Sequence, residues 1–245
     1  MTIRANQSVF NPLNTYECHL EDTQVDVWQF SLLQTPKDYE SVLNKDERAR
    51  ADRFYFPIHK KRHIAAHTTL RRIISRYLPI SAKEIKFDYN EHGKPSVHGH
   101  AELQFNLSHS RDTALLAVGK HKPLGIDLEF FSARPYEGIG GHIFSEDENN
   151  ELQQLNNHLK PLGFFHLWAQ KEALIKACGL GLSYPTKQLT LPLLPPTNQD
   201  VYDTLHKTHW HVVSFMPSVE CCAAVCYDPS ISKLRYHTLS DINQL

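Results

Sequence analysis

Helical and extended periodicities follow one another in both halves of this chain, and that interleaving constrains the fold more than any single motif. Val25-Asp-Val-Trp-Gln-Phe30 alternates at period two and reads as a strand, followed by a turn at Thr35-Pro36. Residues 41–54 and 60–77 read as helices; the second carries Ile64, Leu70, Ile73, Ile74 and Tyr77 near helical spacing and stops at Pro79. Leu103-Gln-Phe-Asn-Leu107 alternates again and then breaks into a polar turn, Ser108-His109-Ser110. Residues 113–118 and 125–130 read as two more strands, and Lys120 to Pro123 between them is the best interdomain link. Helices follow over 145–159, opened by a Ser145-x-x-Glu148 capping box, and over 164–178, ended by Gly179, Gly181 and Pro185. The tail alternates strands over 210–215, 221–227 and 233–238 with Pro-containing turns. Both halves thus run through helices and antiparallel-looking strands. The expectation is α+β, in two lobes over residues 1–120 and 121–245.

At 245 residues and 41% hydrophobic content the chain can bury a real core. No run approaches the roughly 20 apolar residues of a membrane helix. The start, MTIRANQSVFNPL, lacks a signal peptide's apolar region, so the expected location is cytosolic. The five cysteines, Cys18, Cys178, Cys221, Cys222 and Cys226, show no CxxC and read as ordinary thiols. His98-x-His100 and His209-x-His211, in a chain with sixteen histidines, read as solvated loop and strand positions.

The 26 Lys and Arg nearly balance the 27 Asp and Glu, but unevenly along the chain. Residues 45–86 hold twelve cations (Lys45, Arg48, Arg50, Arg53, Lys60, Lys61, Arg62, Arg71, Arg72, Arg76, Lys83, Lys86) against four acids, a local charge of +8 that leaves −9 elsewhere. A solvated helical face would look like this. So would a protein that holds a polyanion with one part and a cation with another.

Three further patterns favour the second reading. Asp127 and Glu129 share one face of a strand about 6–7 Å apart, a spacing that can bracket a hard cation. Trp168, Glu172 and Lys176 recur at i, i+4, i+8 on a helix that is otherwise apolar and also carries Lys171. Mg2+ takes oxygen ligands shared between carboxylates and substrate phosphates, while lysines steady phosphate charge. Ser108, His109 and Ser110, with Gly93-Lys94-Pro95 upstream, offer hydrogen-bond donors to an anion. A Ser-His hydrolase fits poorly, because there is no Gly-x-Ser-x-Gly elbow.

In this order and spacing, His92-Gly-Lys-Pro95, Phe105-Asn-Leu-Ser-His-Ser110, Gly125-Ile-Asp-Leu-Glu129 and Trp168-x-x-Lys171-Glu172-x-x-x-Lys176 closely resemble the Sfp-type 4′-phosphopantetheinyl transferases. The likeness includes Arg53-Phe54-Tyr55 and Arg62 and extends from about residue 40 to 190. It implies a pseudo-twofold pair of similar α+β lobes with coenzyme A bound in the cleft between them. It implies Asp127, Glu129 and Glu172 as Mg2+ carboxylates. It implies that Lys94, Ser108, His109, Arg50, Arg62 and His63 surround the nucleotide end of coenzyme A, the Ser-His pair meeting the 3′-phosphate, and that Lys171 and Lys176 stand near the pyrophosphate and pantetheine phosphate. Glu47 and His63 occupy positions where some relatives carry Lys and Thr, and His142-Ile-Phe-Ser145 departs from the more usual basic-plus-two-aromatics form.

The implied reaction is attack by a serine of an apo carrier protein on the pantetheine-side phosphorus of coenzyme A, with Glu172 as base and Lys176 or Lys171 at the leaving phosphate. Apo acyl, peptidyl or aryl carriers of fatty-acid, polyketide, nonribosomal-peptide or aminoadipate-reductase type are the implied partners, docking near 45–86 and 130–145. A monomer is expected, since two lobes in one chain form the whole cleft. The rival readings are a nucleic-acid-binding module using residues 45–86, which leaves Asp127, Glu129 and Glu172 without a role, and a Mg2+-dependent phosphohydrolase.

Overall fold

Period two sorts the side chains of the central strands onto two faces, and in this chain both faces are buried. The computed structural model describes residues 11–12, 18–132 and 137–242. The elements in order are β1 (Asn11–Pro12), β2 (Gln24–Ser31), α1 (Tyr39–Val42), α2 (Lys45–Asp52), α3 (Pro57–Ile74), β3 (Phe87–Tyr89), β4 (Pro95–Val97), β5 (Leu103–Ser110), β6 (Thr113–Lys120) and β7 (Leu124–Phe130). After these come α4 (Glu137–Ile143), α5 (Glu146–Gln154), α6 (Lys160–Cys178), β8 (Asn198–Asp203), β9 (Thr208–Ser218), β10 (Cys221–Tyr227) and β11 (Lys233–Leu239). Two sheets result, ordered β1-β11-β2-β6-β5 and β7-β10-β9-β8, with β3 and β4 as a separate hairpin.

On β2, Trp28 and Phe30 pack with Ala65, Ala66, Leu70, Ile73 and Ile74 of α3, so α3 covers one face of the first sheet. Val25 and Val27 point the other way, with Leu115 and Ala117 of β6, and meet Ile126, Leu128, Ala223 and Val225 of the second sheet. The far face of that sheet, through Trp210, Val212, Ala224 and Cys226, packs on Leu167, Ala173, Leu174 and Ala177 of α6. The layers are therefore α3, sheet, sheet, α6, and both sheets are buried on both sides, which the apolar run Cys221–Tyr227 anticipates. The α+β, two-lobed expectation holds.

Several details differ from the sequence reading, among them the unanticipated β3–β4 hairpin and α4. The helix expected over 41–54 divides at Asn44, whose Oδ1 accepts from Glu47 N while Glu47 Oε2 accepts from Asn44 N, a capping box that restarts the helix as α2. β5 does not break at Ser108. It stays paired to β6 through Ser110, opposite Thr113, and the chain turns at Arg111, which takes a positive φ of 49°. β8, paired antiparallel to β9, was not anticipated. Finally, β11 runs parallel to β2 in the first sheet, so the tail is not wholly antiparallel and its last strand joins strands from before residue 120. Arg235 clamps it there, its Nε and Nη2 both 2.8 Å from the oxygens of buried Asp26.

Candidate active site

The site is set by how closely α6 approaches β7. A Cβ at Gly125 would lie 2.1 Å from the carbonyl oxygen of Ala173 and 2.4 Å from the amide nitrogen of Ala177, so only glycine lets the helix seat there. Two residues on, the same face of β7 presents Asp127 and then Glu129, and α6 lays Glu172 and Lys176 beside them. Lys176 Nζ is 2.5 Å from Asp127 Oδ1 and 3.1 Å from Ser108 Oγ. α6 ends at Gly179, whose φ of 72° is the left-handed cap that glycine takes without strain.

The edge strands of the two sheets, β5 and β7, meet through side chains rather than a backbone ladder. Asn106 Oδ1 accepts from Ile126 N at 2.9 Å, Ser108 Oγ donates to Asp127 Oδ1 at 2.8 Å, and Ser110 Oγ donates to Glu129 Oε2 at 3.4 Å while accepting from Phe130 N. Every second residue of β5 therefore holds the strand that carries the carboxylates. Ser108 was expected as a turn donor to an anion; here its hydroxyl is committed to Asp127 and Lys176.

Crowding shows in the acid strengths. Burial and then the charge of Asp127 raise Glu129 to about 7, against the pull of Lys176, Ser110 and Trp168, and the same two causes raise Glu172. Asp127 Oδ2 is buried without a hydrogen-bond partner. An orphaned carboxylate oxygen beside two carboxyls held up by burial and by its charge is what a hard dication would relieve, and the donor set is all oxygen, so these residues fit Mg2+. Among the described residues no three His, Cys, Asp or Glu side chains are already gathered as a ligand cluster, and Lys176 sits on Asp127.

A cavity of about 310 Å3 opens beside this cluster, lined by His92, Lys94, Asn106, Glu172, Lys176 and Gly179 among others. It draws on three of the four sequence motifs. The β3–β4 hairpin is anchored to α6 by Asn90 Nδ2, which donates to Gly179 O at 2.8 Å, while Asn90 Oδ1 accepts from His92 N and Lys94 N. Lys94 reaches across and donates to Leu124 O and Ala177 O, and burial lowers its ammonium to about 8.

Lys171, expected at the phosphates, lies elsewhere. It is 1% exposed, donates to Thr186 O and Leu189 O, and pairs with Glu148 at 2.9 Å. Residues adjacent in sequence are about 100° apart around a helix, so when Glu172 faces the cavity Lys171 faces the core. Burial pushes the pKa of its ammonium down, opposed by Glu148. Glu148 also closes the Ser145 capping box and accepts from Leu191 N, so one buried carboxylate ties α5, α6 and the 186–191 loop together.

The expected nucleotide side gathers partly. His63 of α3 feels Arg50 and His67, and His109 of β5 feels His67, Lys176 and Arg62. Four cations of the basic segment are paired, Arg71 with Glu47, Arg72 with Asp38, Lys60 with Asp52 and Arg62 with Asp112 at 2.8 Å, while Lys45, Arg50, Arg53, Lys61, Lys83 and Lys86 are exposed. Asn90 and Asn106, which hold the hairpin and β7 in place, were not singled out from the sequence, although the alternation of Asn106, Ser108 and Ser110 marks a polar strand face.

Comparison with known proteins agrees with this geometry. Residues 28–121 match the family described as 4′-phosphopantetheinyl transferase, N-terminal, and residues 123–226 match the 4′-phosphopantetheinyl transferase superfamily. The chain is 35% identical over 211 residues to the 4′-phosphopantetheinyl transferase HetI of Nostoc sp., covering 82% of this chain and 86% of that protein. It is 30% identical over 155 residues to the 4′-phosphopantetheinyl transferase Sfp of Bacillus subtilis, covering 63% and 68%. Over 164 residues it is 28% identical to the L-aminoadipate-semialdehyde dehydrogenase-phosphopantetheinyl transferase of Xenopus laevis, covering 62% and 54%. With this identity over most of both chains, and with the motifs brought together at the junction of the two sheets, the chain belongs to the 4′-phosphopantetheinyl transferase family.

Proposed function

We propose that this chain transfers the 4′-phosphopantetheine group of coenzyme A to a serine of an apo carrier protein, releasing adenosine 3′,5′-bisphosphate. The observation that carries the reading is the cavity in which Lys176 and Glu172 of α6 face the hairpin bearing Lys94, beside Asp127 with its unpartnered oxygen. Asp127, Glu129 and Glu172 would hold Mg2+, which when bound supplies charge neutralisation to the pyrophosphate.

The chain's own residues do the rest. Glu172, its carboxyl raised by burial and by Asp127, is the better base for it and takes the serine proton. The serine oxygen bonds to the pantetheine-side phosphorus as the bond from that phosphorus to the bridging oxygen breaks, and the electron pair leaves with the nucleotide. Lys176, already 2.5 Å from Asp127, turns its ammonium to the leaving phosphate. Lys171 acts only by packing α6. The N-terminal part takes the nucleotide and the part from 121 onward, β11 apart, carries the carboxylates.

The acceptors would be carriers of fatty-acid, polyketide, nonribosomal-peptide or aminoadipate-reductase type, met by a single copy of this chain in the cytoplasm. The test separates the products of coenzyme A, Mg2+, an apo carrier and the protein by chromatography. Adenosine 3′,5′-bisphosphate should appear mole for mole with modified carrier. Release of a nucleotide with no carrier present would favour the phosphohydrolase instead.

A further inference from the structure

Glu129 stands at the end of an edge strand. Among the described strands β7 is laddered to β10 alone, and its Glu129 and Phe130 lie opposite Cys222 and Cys221, the first two residues of β10. Asp127 is placed differently: it is mid-strand, opposite Ala224, and Ser108 and Lys176 hold its side chain. On the free edge, the end of β7 is held by the turn that joins β5 to β6. Ser110 Oγ accepts from Phe130 N at 3.3 Å, and Arg111 Nη2 donates to Phe131 O at 2.6 Å. The Arg111 guanidinium also lies over the Phe130 ring, 4.9 Å from its centroid. The base of this arm is fixed, because Asp112 O accepts from Leu32 N and Asp112 Oδ1 accepts from Arg62 Nε, both at 2.8 Å.

Arg111 holds this place under strain. Its φ of 49° lies in the left-handed region, and where the first of two hairpin residues takes a positive φ the usual residue is glycine, which has no Cβ to clash. Arg111 is exposed, so its two contacts add little to the stability of the whole chain. Both contacts fall on the two residues that follow Glu129. A strained residue whose contacts matter little globally points to a local task. We propose that Arg111 is a positioning residue for Glu129, replacing the missing ladder at the end of β7 so that the carboxylate stays where it can hold the metal ion. It acts through the main chain at 130 and 131 and touches neither metal nor substrate. The inference rests on the reading of Glu129 as a Mg2+ carboxylate. It adds to that reading the group that orients one ligand, while Asp127, held by its own partners, does not depend on Arg111.

The test measures binding of Mn2+, a paramagnetic substitute for Mg2+, from the electron paramagnetic resonance signal of the free ion. The full chain is used with coenzyme A in excess, against a blank of coenzyme A alone. Asn enters the left-handed region more readily than other residues with a Cβ, so Arg111→Asn removes the guanidinium and keeps the turn. The expected result is Mn2+ binding weakened roughly tenfold, the lower end for groups that orient a metal ligand, with the melting temperature of the metal-free protein unchanged or raised. In Glu129→Gln, where the carboxylate to be positioned is gone, the same substitution should change Mn2+ affinity by about twofold at most. Wild-type Mn2+ affinity in Arg111→Asn overturns the proposal, and so does a loss that recurs in full when Glu129 is already Gln. Either result leaves the transferase reading standing. Wild-type protein that binds no Mn2+ beyond the blank overturns the metal reading and this proposal together. Should Arg111→Asn not fold, Arg111→Lys, which keeps the charge and loses the planar guanidinium, is held to the same outcomes.

Discussion

Gly125 and Ala173 approach so closely that a Cβ on the first would lie 2.1 Å from the carbonyl oxygen of the second, and this contact sets the depth at which α6 seats on β7. Since the atoms met are helix backbone, no side-chain rotation relieves them. Gly125→Ala should therefore displace α6, lowering stability by about 1–3 kcal/mol or more and separating Lys176 from Asp127. Thermal melts and transferase turnover should both fall, the second further than the melt accounts for. A variant with the wild-type melting temperature and turnover would show the contact to be slack.

The carboxylates should behave differently. Asp127→Asn and Glu172→Gln keep shape, so each should lose turnover by about a hundredfold or more with little change in thermal stability. Mg2+ should raise the melting temperature of the wild type and do so less in Asp127→Asn. Near-normal turnover in either variant would remove that residue from the reaction.

Lys171 and Lys176 offer a sharper contrast, being five residues apart on one helix with opposite surroundings. Lys171→Met leaves Glu148 charged and buried, which costs about 3–5 kcal/mol, so the chain should melt far lower or fail to fold. Lys176→Ala should fold and be inactive. The double variant Lys171→Met with Glu148→Leu should recover much of the stability, since a buried pair is often replaceable by apolar residues of similar volume. Absence of any recovery would mean that the pair acts beyond packing.

His166 gives the pH dependence. Its ring is fully buried, bonded to Leu193 O at 2.8 Å and Ser214 Oγ at 2.7 Å, and burial lowers it from 6.5 to about 4. Between those values the unfolded chain binds more protons than the folded one, so stability rises with pH and is lost as pH falls from about 6.5 towards 4. The full effect is about 3 kcal/mol. His166→Gln should start from a lower melting temperature but show a shallower decline across that window; an unchanged slope would assign the acid sensitivity to other groups.

What could be read from the sequence was what depends on neighbours in the chain. The Ser145 and Glu148 capping box, the strand carrying Asp127 and Glu129, and the helix carrying Trp168 to Lys176 are all local patterns, and all formed. What failed depended on distant partners. Ser108 to Ser110 looked like a turn because polar residues ended an apolar alternation; the strand continues because β7 supplies hydrogen-bond partners to that polar face. β11 crosses to the first sheet to reach Asp26, and no local pattern encodes that pairing. Lys171 and Lys176 look equivalent in one motif, and only the packing of α6 decides that one is core and the other faces the cavity.

Intact mass spectrometry of an apo carrier protein, after incubation with coenzyme A, Mg2+ and this protein, tests the central claim most directly. The account predicts a single phosphopantetheine adduct on the carrier serine, absent when the serine is replaced by alanine and greatly slowed with the Glu172→Gln enzyme. Carriers of several types left unmodified by folded wild-type protein, or modified equally fast by the Glu172→Gln enzyme, would contradict it.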